Sequence, residues 1–385
     1  MKRIFFKGFA ELRAISAILV VFHHIELYKF RDDKSFSLFD TPVKYFVSHI
    51  GENAVYTFFV LSGFLITYLL FSEKKATDTI NIKKFYLRRI LRIWPLYYLI
   101  LIISFFIIPF FATHSLMLQN EDHYYKMIRL FQESPYIPLL LLVLFLPNFA
   151  LAFKAPVIGA SQSWSVGVEE QFYILWPHII NKVTNKTTLI IVFSLISLTP
   201  FFASVIGFIN QDAGKKVMFF IDLIPIHYMA IGAIGGFMKF HYAQLVHKIF
   251  SRASLFILNT LLLIVFVFLD FDFTLKYLCF GFTILFEIIC ISQENFRFNL
   301  RNQQLEKIGN ISYGVYMYHP MIMYACFSFF NSVVDFENQY LFNLAIYLSI
   351  GGISFLVSHV SFVNFESKFI KYKNAKFTII KSGNS

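Results

Sequence analysis

The stretch IPLLLLVLFLPNFALAFK (137–154) decides the architecture. It is apolar enough to enter a membrane, yet Pro138 and the pair Pro147–Asn148 interrupt it. A membrane helix needs about 20 mostly apolar residues with its backbone bonded internally. If this stretch crosses fully, every later loop changes side. If it dips in and returns, or lies on the surface, the later loops keep their sides. Ten further apolar stretches lie around it, near 10–28, 52–72, 93–112, 166–183, 188–208, 217–238, 253–270, 273–292, 309–330 and 341–363. The 385 residues are 57% hydrophobic and 15% charged, with a mean hydropathy of +0.62. A soluble domain carries roughly 25% charged residues. The composition therefore excludes a soluble globular chain and a disordered one, and predicts an all-α polytopic membrane protein.

Lys and Arg placement chooses between the readings of 137–154. Lys2, Lys7, Arg3 and Arg13 put the N-terminus on the cytoplasmic side. The basic loop 73–92 then lies inside as well. With 166–183 crossing and 137–154 not, segments 182–187, 239–252, 293–308 and 364–385 fall inside with 13 Lys and Arg. Segments 209–216, 270–276 and 331–340 fall outside with 3. Full crossing of both stretches reverses these counts. The expectation is thus ten crossings, both termini cytoplasmic, and an outer re-entrant or surface-lying segment at 137–154. The polar segments 29–50 and 113–136 would lie outside. One membrane-embedded domain would cover 1–372, followed by a short basic cytoplasmic tail at 373–385. The net charge of +11 is explained by topology signals and does not call for nucleic acid. Cys279, Cys290 and Cys326 sit in apolar stretches without metal-ligand or CxxC spacing, so neither a disulfide framework nor a metal site is expected.

Charged and imidazole groups at membrane depth default to functional candidates. Arg13 and His24 are eleven residues apart, almost three helical turns, and so share one face about 16 Å apart. An interface anchor and a packing histidine are the plainer readings. His23 points about 100° away. In RRILR (88–92), Arg89 and Arg92 are i, i+3 neighbours. Such a guanidinium pair suits phosphate oxygens, and a topology signal touching anionic lipid is the alternative. In SQSWSVGVEEQFYILWP (161–177), Glu169 and Tyr173 are i, i+4 neighbours, with Trp176 continuing that face. A carboxylate there can hold a histidine proton, bind a sugar hydroxyl or serve a buried network. Asp222, His227, Glu287 and His319 are further buried polar groups, each readable as structural.

Five motifs in order resemble the acyltransferase-3 family of integral-membrane acyltransferases. LRAISAILVVFHH (12–24) resembles its first-helix motif with Arg-x10-His spacing. GENAVYTFFVLSGFLIT (51–67) resembles the second-helix motif. Arg89-x-x-Arg92 matches the Arg-x-x-Arg before the third helix. SWSVGVEEQFYILWP (163–177) and ISYGVYMYHP (311–320) resemble two later elements. The likeness runs from about residue 9 to 372.

The resemblance implies transfer of a short acyl group, usually acetyl, from cytoplasmic acyl-CoA to a hydroxyl of an extracytoplasmic carbohydrate such as capsule, O-antigen or exopolysaccharide. It implies His24 as general base or acyl carrier, with Glu169 and Arg13 completing the catalytic set. It implies Arg89, Arg92 and Arg88 at the CoA phosphates. Trp164, Tyr173, Ser163 and His319 are the candidates for holding the acceptor. Acyl-CoA is then a co-substrate rather than a resident cofactor, and the other partners are the glycan, the inner (plasma) membrane and, as an open option, a second copy of the chain. Some family members carry a fused C-terminal SGNH hydrolase-like domain. The expectation here is the type without it. The rival class is a flippase or transporter of a lipid-linked sugar, or another envelope-assembly component. An inverted repeat would favour transport, and none is visible.

Overall fold

The computed structural model describes residues 4–32, 36–110, 136–153, 156–269, 276–294, 296, 298, 302–333 and 338–380. Every multi-residue element among them is helical. The first half comprises Phe9–Asp32 (α1), Lys44–Thr77 (α2), Ile82–Ile102 (α3), Tyr136–Val143 (α4), Pro147–Ala152 (α5) and Trp164–Lys182 (α6). Next come Lys186–Ser197 (α7), Thr199–Ile209 (α8), Gln211–Leu223 (α9), Ile226–His241 (α10), Ala243–Phe250 (α11) and Ala253–Phe268 (α12). Lys276–Ile291 (α13), Gln303–Asn310 (α14), Ser312–Val333 (α15), Gln339–Ser361 (α16) and Ser367–Lys376 (α17) complete the chain.

Among the described residues, three continuous helices are long and apolar enough to cross a membrane: Lys44–Thr77, Ile82–Phe110 and Gln339–Lys376. Three further candidates are broken. The α7–α8 pair bends by 53°, α9–α10 by 64° and α11–α12 by 74°. Two stretches expected as single helices, 188–208 and 217–238, are therefore each split. Pro200 in the first turn of α8 and Pro225 at the cap of α10 account for those two breaks, because proline removes a backbone donor and clashes with the preceding turn. Large apolar side chains such as Phe208, Leu258 and Leu348 point outward, while Glu26, Glu73 and Glu287 are buried. That inversion of the soluble pattern is what a bilayer-facing bundle requires.

Segment 136–153 forms two helices of eight and six residues, too short to span a bilayer singly. Its elbow is Phe145, held at φ 58, a left-handed conformation uncommon for a bulky residue. The ring stacks on Tyr97 at 4.3 Å and on Trp94 at 5.0 Å. Both partners lie more than halfway along α3, so the elbow dips into the bundle. Side chains satisfy its irregular backbone: Tyr97 donates to Leu142 O (2.7 Å), Tyr98 to Val143 O (3.1 Å) and Gln171 to Phe145 O (3.3 Å). Asn148 accepts from Gln171 (3.0 Å) and donates to Leu223 O (3.0 Å). Buried irregular backbone is tolerated only under such satisfaction. The expected polar segment 113–136 falls outside the described residues except for Tyr136.

Hydrogen bonds tie the helix ends to one another. Lys74 Nζ, at the end of α2, donates to Ile180 O (2.8 Å) and Asn181 O (3.1 Å) at the end of α6. Arg88 donates to Phe377 O (3.1 Å) just after α17. Glu11 accepts from the Asn302 N–H (3.3 Å), and Lys239 donates to Gln293 (2.9 Å). Helix α17 runs across residue 373 to Lys376 and packs on α3. Opposite, Glu26 binds Lys29 (2.5 Å), Tyr347 and the Leu38 N–H (2.6 Å), fastening the end of α1 to α16.

Helices α2 and α10 pack at backbone contact in the core. A Cβ on Gly63 would stand 1.9 Å from Met229 O, and one on Gly232 1.9 Å from Val60 O. Only glycine lets these backbones approach so nearly, as in membrane helix pairs generally.

Candidate active site

Among the described residues, two adjoining cavities share lining residues within the bundle. The smaller, about 140 Å³, is lined by Arg13, Arg89, Arg92, Glu169, Tyr173 and Ser62, among others. Arg13 comes from the first turns of α1, and the other two arginines from the first half of α3. Arg89 is held with its guanidinium carbon 5.6 Å from the ring centroids of both Phe85 and Tyr173. Arg92 is exposed at the mouth. The Nε atoms of Arg13 and Arg89 are buried without a hydrogen-bond partner. Among the described residues none of the three arginines forms an ion pair. Three cations thus face one carboxylate. A buried, unmatched guanidinium fork is costly unless an anion completes it. The cavity can therefore take an anionic group.

Glu169 accepts from Ser62 Oγ (2.9 Å) and Tyr173 Oη (2.8 Å). The sequence reading sets Glu169 near the outer end of a crossing, where it orients His24 or holds the acceptor. The structure makes no such bond among the described residues and places Glu169 among the arginines instead. The reason is depth. The 136–153 elbow sinks into the bundle, so α6 begins inside the protein rather than at its surface. Tyr173 goes with Glu169, and its ring packs against Arg89, not in the His24 cavity. Arg88 also separates from its neighbours. It pairs with buried Glu73 at 2.6 Å and does not line the cavity.

The larger cavity, about 890 Å³, is lined by His23, His24, Glu52, Trp164, Asp222 and His227, among others. His24 Nδ1 donates to Val20 O at 2.8 Å. A carbonyl only accepts, so the proton sits on Nδ1 and Nε2 carries a free lone pair. The group that orients His24 is therefore its own helix backbone. His23 Nδ1 donates to Val47 O at 2.7 Å, tying it to the start of α2. Gly51 leaves the room for that ring, since a Cβ there would stand 2.5 Å from it. His319 is fully buried, its ring 5.0 Å from that of His24. It donates from Nδ1 to Tyr316 O (2.8 Å), and its Nε2 is unpartnered. Of the four candidates for holding an acceptor, only Trp164 lines this cavity. Ser163 is buried in the turn before α6, where its hydroxyl donates to Ala160 O (2.5 Å).

Sequence reasoning missed Ser62, Glu52, Val55 and Tyr316. All four stand inside motifs already singled out, but the tertiary arrangement of α2 and α15 is needed to give them a role.

This constellation, an unmatched arginine cluster and a lone-pair imidazole in adjoining cavities of a membrane bundle, suits group transfer from an anionic donor. The family comparison defines the class. A family model described as an acyltransferase domain, that of the acyltransferase-3 family, matches residues 10–362. The chain belongs to this family.

The chain is similar to the O-acetyltransferase OatA of Staphylococcus aureus, 31% identical over 196 residues, covering 49% of this chain and 30% of that protein. It is also similar to the peptidoglycan O-acetyltransferase OatA of Listeria monocytogenes, 30% identical over 127 residues, covering 33% of this chain and 19% of that one. An uncharacterized protein of Haemophilus influenzae is 28% identical over 169 residues, covering 42% of this chain and 62% of that one. The chain thus matches less than a third of the length of the OatA relatives. No solved structure matches it.

Proposed function

We propose that the protein transfers a short acyl group, acetyl by its relatives' names, from acyl-CoA to a hydroxyl of an extracytoplasmic envelope glycan. The observation that carries this reading is the pairing of a cavity where three arginines face one carboxylate with an imidazole cavity beside it. In this reading Arg89 and Arg92 take the CoA phosphates, and Arg13 takes a further oxygen of the donor. The acceptor hydroxyl enters the larger cavity, where Trp164 offers a ring face. His24 Nε2 removes the hydroxyl proton as the oxygen attacks the thioester carbonyl. The carbon–sulfur bond breaks, CoA leaves as thiolate, and the proton on Nε2 returns to sulfur. If the acyl group first rests on His24, the same lone pair forms the bond, so both routes need a neutral imidazole. The N-terminus, the arginine mouth and α17 face the cytoplasm in this reading, and the bundle makes ten crossings of the inner membrane. The OatA names support a carbohydrate acceptor.

The test is glycan-linked acyl content in cells expressing each variant at matched membrane levels. His24→Ala should abolish it, since a general base alone contributes roughly 10²–10⁴-fold. Acylation near the wild-type level in His24→Ala would refute the mechanism.

A further inference from the structure

The arginine cavity and the His24 cavity have two lining residues in common, Val55 of α2 and Tyr316 of α15. We propose that these two side chains form the aperture through which the acyl group reaches His24, and that its width restricts the length of the group transferred. The inference rests on the acyl-transfer reading above and adds to it the residues that select the donor.

Both sides of the aperture are fixed. Tyr316 Oη donates to Gln162 O at 2.8 Å and accepts from Ser165 Oγ at 2.7 Å. A phenol has one proton to give, so its donation is complete. Swinging the ring aside would break two buried hydrogen bonds. The Phe58 ring, 6.4 Å away at 63°, braces it further. Across the gap, Val55 is 4% exposed, and a β-branched side chain on a helix has essentially one rotamer. The α2 backbone cannot retreat either, because Gly63 and Gly232 already bring α2 against α10 at backbone contact.

A rigid opening discriminates by size. Extra methylenes meet atoms that have nowhere to move.

The experiment uses inverted membrane vesicles from cells expressing the full chain, supplied with labelled acetyl-CoA, propionyl-CoA or butyryl-CoA. Label entering the vesicles' own glycan fraction is counted. Wild type should prefer acetyl. Val55→Ala removes two methyl carbons from the rim and should raise the butyryl-to-acetyl ratio about tenfold, the discrimination one methylene commonly carries. Tyr316→Phe keeps the ring but loses both hydroxyl bonds, and should raise the same ratio by a smaller factor. Because the readout is a ratio within one preparation, partial loss of folded protein does not obscure it. Transfer by both variants with the wild-type ratio would overturn the aperture and leave the functional reading standing. No transfer from any of the three thioesters by wild type would overturn the functional reading and the aperture with it.

Discussion

Arg89→Ala should weaken CoA binding by about 10- to 150-fold without unfolding the protein. The guanidinium Nε of Arg89 is buried and has no acceptor, so its fork is available to a phosphate in two-point contact. One charge-assisted hydrogen bond is worth about 1.5–3 kcal/mol, and 1.36 kcal/mol is tenfold in affinity. The ring contacts with Phe85 and Tyr173, both at 5.6 Å, order the side chain before the ligand arrives. Arg89→Lys keeps the charge and loses the fork, so it should fall between wild type and Arg89→Ala. Arg88→Ala provides the contrast. Arg88 is paired to Glu73, which is 2% exposed, and removing it strands a buried carboxylate at a cost of about 3 kcal/mol or more. That variant should lose thermal stability, while Arg89→Ala should lose affinity. The measurements are calorimetric titration of CoA into the purified full chain and its thermal aggregation midpoint. CoA affinity within twofold of wild type for Arg89→Ala would refute the assignment of this cavity to the donor.

Three other outcomes follow from the geometry. Glu169→Gln removes the one carboxylate among three arginines and leaves a single oxygen to serve both Ser62 and Tyr173. CoA binding should tighten severalfold while acyl transfer falls tenfold or more, and weaker CoA binding would show that the carboxylate does not oppose the anion. Gly232→Ala drives a Cβ to within 1.9 Å of Val60 O, and overpacking of this kind costs about 1–3 kcal/mol. Its aggregation midpoint should drop by several degrees, and an unchanged midpoint would mean α2 and α10 pack less closely than described. A single cysteine placed at Ser251 in a cysteine-free background should resist an impermeant thiol reagent on intact cells and react after permeabilisation. Labelling of intact cells would place the α11–α12 turn outside and overturn the topology.

The sequence alone determined that this is a membrane-embedded helical bundle, because apolar runs of about 20 residues have no other stable solution in water or lipid. It also set Arg13 and His24 on one helix about 16 Å apart, since the helical repeat fixes that separation whatever surrounds it. Lys and Arg placement led to the expectation that the proline-interrupted stretch 137–154 does not cross, and two short helices form there. Its elbow on Trp94 and Tyr97 was not readable, because those contacts join residues some fifty positions apart in sequence. Depth was the quantity that sequence could not supply. Glu169 reads as an outer-end carboxylate near His24 if α6 starts at the surface. It sits with Arg89 because the elbow carries the start of α6 inward. Likewise Arg88, Arg89 and Arg92 are one basic run in the sequence, but Glu73 claims Arg88 and leaves the other two to the cavity. Tyr316 lies inside the motif at 311–320, but nothing in that motif separates its role from those of Tyr313 and Tyr318. Only the tertiary placement of α15, with Tyr316 bonded to Gln162 and Ser165, sets it between two cavities, because a position between two sites is defined by both neighbours and by neither local sequence.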